Sequence, residues 1–128
     1  MRNARWASLL VAIALLTGQA RAETVVKIGA ALSMTGPAAA YGAQQKAGIL
    51  AAVEQINKSG ALKGMKLEAV VEDDGSTKEQ GIAVFQRFIN KDKVIAIIGP
   101  TLSNTAYASN PLAQAAGVSR RSLYNLFA

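Results

Sequence analysis

Two short runs in this chain carry groups suited to holding a small anion. Ser33-Met34-Thr35-Gly36-Pro37 follows the apolar run Val25-Val26-Lys27-Ile28-Gly29-Ala30-Ala31-Leu32. Gly99-Pro100-Thr101-Leu102-Ser103-Asn104-Thr105 follows Val94-Ile95-Ala96-Ile97-Ile98. Each reads as a strand that ends in a Gly-Pro turn, with hydroxyl groups at the start of a helix. The first N–H groups of a helix lack intrahelical partners, and its dipole is positive there, so an anion is favoured. In an open parallel sheet, ligands collect at the carboxyl ends of the strands. The two runs together read as half of a small-molecule binding cleft.

Each residue in these runs also has a plainer reading. Ser103 fits the N-cap of the helix it opens, satisfying an orphan N–H. Tyr41 is either an aromatic at the cleft rim or an ordinary surface residue ahead of a helix. Gly36-Pro37 and Gly99-Pro100 read as turn chemistry, because Pro fixes φ and Gly permits a tight approach. Glu72-Asp73-Asp74 offers paired carboxylates for acid–base work or a cation. The preferred reading is a solvated strand end leading into a helix N-terminus, where acidic groups are favoured. The chain has no cysteine and no histidine, which excludes disulfides, thiolate catalysis and the common zinc and haem sites. No G-x-G-x-x-G follows the first strand, so the dinucleotide fingerprint is absent. No catalytic residue, metal or cofactor is expected.

The elements that must position these runs alternate regularly. The first strand spans residues 25–32. A helix follows over residues 42–58, with Ala43, Ala47, Leu50, Ala51, Val53 and Ile56 as its apolar face, closed by Ser59-Gly60. Residues 66–71 form a second strand. Ser76 or Thr77 caps a second helix, whose buried face is Ile82, Val84, Phe85, Phe88 and Ile89. Residues 94–98 are a continuous apolar run, as in a strand buried on both faces. A third helix covers about residues 104–116 and stops at Gly117. This order predicts an α/β fold: a three-layer sandwich on a parallel, doubly wound sheet with right-handed crossovers.

Residues 1–22 read as an export leader. Arg2 and Arg5 precede the apolar stretch Leu9-Leu10-Val11-Ala12-Ile13-Ala14-Leu15-Leu16, and Ala20-Arg21-Ala22 gives a small-x-small cleavage pattern. The apolar stretch is shorter than the roughly 20 residues needed to span a bilayer. Cleavage is expected after Ala22. The whole chain has 14 basic and 8 acidic residues. Arg2, Arg5 and Arg21 leave with the leader, so the mature segment carries only +3. No basic patch interleaved with aromatics remains, so nucleic acid is not an expected partner.

At Lys27-Ile28-Gly29, Met34-Thr35-Gly36-Pro37, Tyr41-Gly42, Ala51-Ala52-Val53-Glu54-Gln55-Ile56-Asn57, Gly64-Met65-Lys66-Leu67, Glu72-Asp73-Asp74-Gly75 and Ile97-Ile98-Gly99-Pro100 the chain resembles a known family. It is similar to the amino-terminal lobe of leucine/isoleucine/valine-type periplasmic binding proteins, the substrate-binding subunits of branched-chain amino-acid ABC transporters. The resemblance spans about residues 23–118. It implies an incomplete type I lobe, a periplasmic location, a small amino acid or related carboxylate as ligand, and an ABC permease of the inner membrane as partner. It also implies that the Ser103 hydroxyl contacts the ligand carboxylate and that Tyr41 packs beside the ligand, with Asn104 and Thr105 in the same loop. The pattern departs after Gly117-Val118, where the family continues with an apolar strand and later a second lobe. Residues 119–128 are therefore expected to be an aberrant tail outside the sheet, from a truncated product with a frameshift as its expected cause. Three rivals stand beside this reading: a sensory module of the same fold, an exported enzyme using Asp73 or Asp74, and a fragment without function.

Overall fold

The computed structural model describes residues 22–121; residues 1–21, where the leader is expected, and residues 122–128 lie outside the described residues. Strand β1 (Thr24–Leu32) leads into helix α1 (Ala39–Ser59), then strand β2 (Met65–Asp73) and helix α2 (Lys78–Arg87). A π-helical turn over Phe88–Asp92 follows, then strand β3 (Ala96–Ile98), helix α3 (Ser103–Ala115) and strand β4 (Ser119–Arg121). The strands lie in the order β2-β1-β3-β4 and all pair parallel. In the register, Leu32 stands opposite Asp73, and Ala30 opposite Ile98. The chain steps from β1 outward to β2, then crosses back over β1 to β3. This places the topological switch between β1 and β3, where the two turns singled out above emerge side by side. Right-handed crossovers then put α1 on one face of the sheet and α2 with α3 on the other. The expected three-layer, doubly wound architecture is the observed one.

The core lies between the sheet and the α2/α3 layer. Ala31, Val84, Phe85, Phe88, Val94, Ile97 and Ala113 form one buried cluster, flanked by Val70, Leu112 and Val118. Each large side chain buried in this way contributes about 1.5–3 kcal/mol. Phe88 lies flat on β1 only because residue 29 is glycine: a Cβ there would come within 2.6 Å of the ring. The α2 face expected from the sequence is the one observed at Val84, Phe85 and Phe88, and Thr77 caps this helix by accepting the Gln80 N–H at 3.3 Å.

Three expectations need correction. The first is the apolar face of α1. Ala43, Ala47, Leu50, Ala51 and Ile56 are exposed, and only Val53 of the expected set is half-buried. The face turned inward is Gly42, Gln45, Ile49, Val53 and Asn57. Small and apolar residues occur around most of this helix, so periodicity alone leaves its rotation open. Two contacts settle it. Gly42 sits under the Ser33 carbonyl, where a Cβ would approach to 2.0 Å, and the Asn57 amide bonds both the N–H and the C=O of Leu67, each at 2.8 Å.

The second correction is the strand expected over residues 94–98, which is reduced to Ala96–Ile98. Lys93 takes a left-handed φ of 55° and turns the chain late; Val94 is buried, yet Ile95 is 60% exposed. Two-sided burial holds for Ile97, while Ala96 and Ile98 are half-buried.

The third concerns the tail, expected outside the sheet from residue 119 onward. Ser119–Arg121 is instead β4, paired with Ala96–Ile98 of β3. Main-chain pairing does not depend on side-chain polarity, and β3 offers an open row of N–H and C=O groups on that side. Among the described residues β4 is an edge strand. The rest of the expected tail, residues 122–128, lies outside the described residues.

Candidate ligand-binding edge

Three loops meet at the carboxyl ends of the strands: residues 33–38 after β1, residues 74–77 after β2 and residues 99–102 after β3. The first two are tied by side chains. Asp73 Oδ1 accepts the N–H groups of Met34 at 2.9 Å, Thr35 at 3.2 Å and Gly75 at 2.8 Å. Its Oδ2 accepts the Thr35 hydroxyl at 2.7 Å. The Ser33 hydroxyl donates to Asp74 Oδ1 at 2.6 Å, and the Ser76 hydroxyl donates to the Thr35 carbonyl at 2.8 Å. Thr101 connects the third loop: its hydroxyl oxygen accepts the Ser33 N–H at 3.0 Å and its proton goes to Gln45 Oε1 at 2.7 Å. Both Gly-Pro turns act as read from the sequence. Gly36 and Gly99 adopt φ of 81° and 99°, and a Cβ on Gly99 would meet the Ala31 carbonyl at 2.1 Å.

Burial acts to raise the Asp73 pKa, but the Thr35 hydroxyl and the N–H groups of Gly75, Met34 and Thr35 outweigh it and hold the carboxyl below its ordinary value. Asp74 is wholly buried, and its Oδ2 has no hydrogen-bond partner among the described residues. The acidic run is therefore not the solvated strand end expected from the sequence. One carboxylate organises a loop, and the other anchors Ser33. A strand end with two adjacent acids is the only sequence signal for this. It does not say which loop the acids will meet.

The four residues singled out for binding separate into two groups. Tyr41, in the first turn of α1, is 65% exposed. It lies one turn before Gln45, which touches Thr101, two residues from Ser103. Ser103 is exposed and is the first residue of α3. The N-cap position falls on Leu102, with no side-chain cap, so the hydroxyl of Ser103 does not play the capping part. The first backbone bond of α3 runs from the Ala106 N–H to the Leu102 carbonyl at 3.0 Å. The N–H groups of Ser103 and Asn104 precede it and have no intrahelical acceptor. Asn104 is exposed, and its Oδ1 accepts the Thr105 N–H at 2.8 Å, holding the third N–H of the helix.

Thr105 belongs elsewhere. It is completely buried, and its methyl group fills the space over Gly81 of α2, where a Cβ would come within 2.3 Å. It packs two helices together, and its hydroxyl donates only to Asn104 Oδ1, at 3.4 Å. Sequence reasoning named the runs that hold Ser33 and Thr101 but missed Gln45 and the bonds by which these polar atoms join the loops across long stretches of sequence. No group of three or more acidic residues among those described is placed to hold a metal ion. An open groove of about 550 Å³ lies away from this edge, between α1 and the first half of β2, lined by Leu50, Val53, Asn57, Leu67 and Ala69 among others.

Parallel strands, a switch point and an unfilled helix N-terminus define the α/β lobe type used to bind small ligands. A family model described as periplasmic binding protein matches residues 25–123, and the chain belongs to that family. The match runs past residue 118, where the resemblance read from the sequence ended. A leucine-, isoleucine-, valine-, threonine- and alanine-binding protein of Pseudomonas aeruginosa is 37% identical over 108 residues, which is 84% of this chain and 29% of that protein. The branched-chain amino-acid transporter substrate-binding protein LivJ of Streptococcus pneumoniae, solved in complex with isoleucine, matches with a TM-score of 0.74 at 32% identity. That match covers 77% of this chain and 28% of the solved one. A solute-binding protein of an ABC transporter from R. palustris, solved with 4-hydroxybenzoate, matches at 0.67 and 37% identity, over 77% and 27% of the two chains. The chain thus spans less than a third of the length of these relatives.

Proposed function

We propose that this chain supplies the first wall of an amino-acid-binding cleft in the substrate-binding component of an ABC transporter, working in the periplasm with an inner-membrane permease. The observation that carries the reading is the start of α3. Ser103 opens the helix at the switch point, exposed and free of a capping role, beside N–H groups without intrahelical acceptors. A ligand carboxylate placed there meets a hydroxyl, two N–H donors and the positive end of the helix dipole. Tyr41 stands across the neighbouring turn as the aromatic wall for the rest of the ligand. The names of the relatives support a branched-chain or similar amino acid as that ligand. Asn104 contributes through its hold on the helix start, and Thr105 has only a packing part. The role is binding, not catalysis.

The reading includes an export leader over residues 1–22 and a lobe segment over 23–118, which Ser119–Arg121 continues as the edge strand of the same sheet. Mass spectrometry of the exported chain should give Glu23 as the first residue; recovery of intact residues 1–22 in a membrane fraction would refute export. Pockets bury about 70–90% of a small ligand, and the described residues cover one side of it. The chain by itself is therefore expected to bind leucine no more tightly than about millimolar, roughly −4 kcal/mol. Calorimetry against leucine, isoleucine, valine and alanine tests this, with loss of binding in Ser103→Ala as the expected result. Equal binding by wild type and Ser103→Ala would remove Ser103 from the site. 4-Hydroxybenzoate belongs in the same panel as the second reading, favoured by the R. palustris relative; it shares the carboxylate and differs in everything Tyr41 would face.

A further inference from the structure

The β1–α1 loop is tied to the rest of this edge chiefly by polar bonds. Residues 35–37 are exposed, so packing does not determine their course. They must still deliver α1, and with it Tyr41, at a fixed place. A chain segment of this kind pays conformational entropy for order unless bonds absent from other conformations hold it. Asp73 supplies those bonds. It is the last residue of β2 and stands opposite Leu32, the last residue of β1, so its carboxylate meets the loop where it leaves the sheet. Oδ1 gathers the N–H groups of Met34, Thr35 and Gly75, and Oδ2 takes the Thr35 hydroxyl. Hydrogen bonds to an ionised acceptor are roughly twice as strong as neutral ones.

A second tie acts on the same loop. Ser76, at a left-handed φ of 59°, has its N–H bound to Asp74 Oδ1 at 2.9 Å. Its hydroxyl donates to the Thr35 carbonyl at 2.8 Å and accepts the Ala38 N–H at 3.4 Å. Gly36 allows the approach, since a Cβ there would come within 2.8 Å of the Ser76 oxygen.

We propose that Asp73 is the positioning residue of the candidate cleft: it touches no ligand and acts by holding residues 34–38 so that α1 and Tyr41 are in place before a ligand arrives. The ligand part of this inference rests on the function proposed above, while the loop part stands on the geometry alone. The two are separable by experiment. Amide hydrogen exchange on the full chain reads the loop without any ligand. In Asp73→Ala, the Met34, Thr35 and Gly75 amides should exchange at least about tenfold faster, with Gly29 and Ala30 inside β1 unchanged. Asp73→Asn keeps an oxygen able to accept the same three N–H groups and should restore protection to within about threefold. Leucine affinity, by calorimetry, should fall about tenfold or more in Asp73→Ala and recover in Asp73→Asn.

Unchanged exchange over residues 34–38 in Asp73→Ala would overturn the inference, as would leucine binding equal to wild type. If the wild-type chain binds no leucine, the proposed function fails and the exchange arm alone decides this inference. If Asp73→Ala loosens β1 as well, Thr35→Val decides: it removes only the hydroxyl bond to Oδ2. Faster exchange confined to residues 34–38 then supports the positioning role, and no change refutes it.

Discussion

Helices α2 and α3 lie on the same face of the sheet and pack against each other, yet their first turns are finished differently. Helix α2 is closed in the ordinary way: Thr77 is extended at the N-cap, its hydroxyl accepts the Gln80 N–H, and Glu79 lies in the first turn. Helix α3 has Leu102 at that position, no side-chain cap and no acid in its first turn, although a serine stands one residue away. A helix end finished internally is a structural end. One left open beside a hydroxyl, at a switch point, has donors available for the binding role proposed above. The difference also shows in what holds each start in place. The turn before α3 is positioned by close backbone fit and by Thr101, so its stability depends on few atoms.

Disturbing the backbone fit before α3 should have the largest effect. Gly99→Ala puts a Cβ about 2.1 Å from the Ala31 carbonyl at a φ of 99°. Backbone must move, and a loss of about 3 kcal/mol or more is expected, read as the shift in the urea midpoint. Thr101→Val removes the acceptor of the Ser33 N–H and the donor to Gln45 together. An unpaired, part-buried N–H costs about 1–3 kcal/mol, and thermal unfolding measures it.

A pair of substitutions tests the two helix starts against each other. Thr77→Ala removes a working cap and should cost about 1 kcal/mol. Ser103→Ala removes a hydroxyl that caps nothing and should change stability by less than about 0.5 kcal/mol. Equal losses in the two variants would mean that Ser103 is a structural serine after all. The smallest effect expected is that of acid on the β1–α1 loop. Asp73 has a lowered native pKa, so its contribution to stability is complete above the ordinary carboxyl value of about 4 and disappears as pH falls through the lower native value. Asp73→Asn should flatten the stability profile below pH ~4 relative to wild type, and a parallel profile would remove Asp73 as a source of that dependence.

The order of elements was legible because each carries a strong local signal. Val, Ile and Ala runs end in Gly-Pro, Thr77 precedes an amphipathic turn, and Gly60 and Gly117 stop their helices with φ of 70° and 68°. The resemblance of the short motifs to a known family was legible for the same reason. The rotation of α1 was not, since an alanine-rich helix offers several faces of similar hydrophobicity. The buried state of Asp74 was not legible either, because two adjacent acids look alike in a sequence although one meets Ser33 and the other meets Thr35.

The binding edge divides along the same line. Ser103 and Tyr41 stand beside turn residues whose chemistry is local, and both came to the exposed carboxyl edge of the sheet. Thr105 looked equivalent to its neighbours, but one step of about 100° around the helix turned it toward Gly81. Thr101, Gln45, Ser33 and Asp73 were invisible as a group, since their bonds join residues 38 to 68 positions apart. By itself the sequence determined the strand–helix alternation, the turns and the family, because those follow from periodicity and backbone preference over a few residues. Only the tertiary structure decided which polar groups meet, that β3 would take Ser119–Arg121 as its neighbour, and that the start of α3 would stay open. Those outcomes depend on the distances between segments that only the assembled sheet brings together.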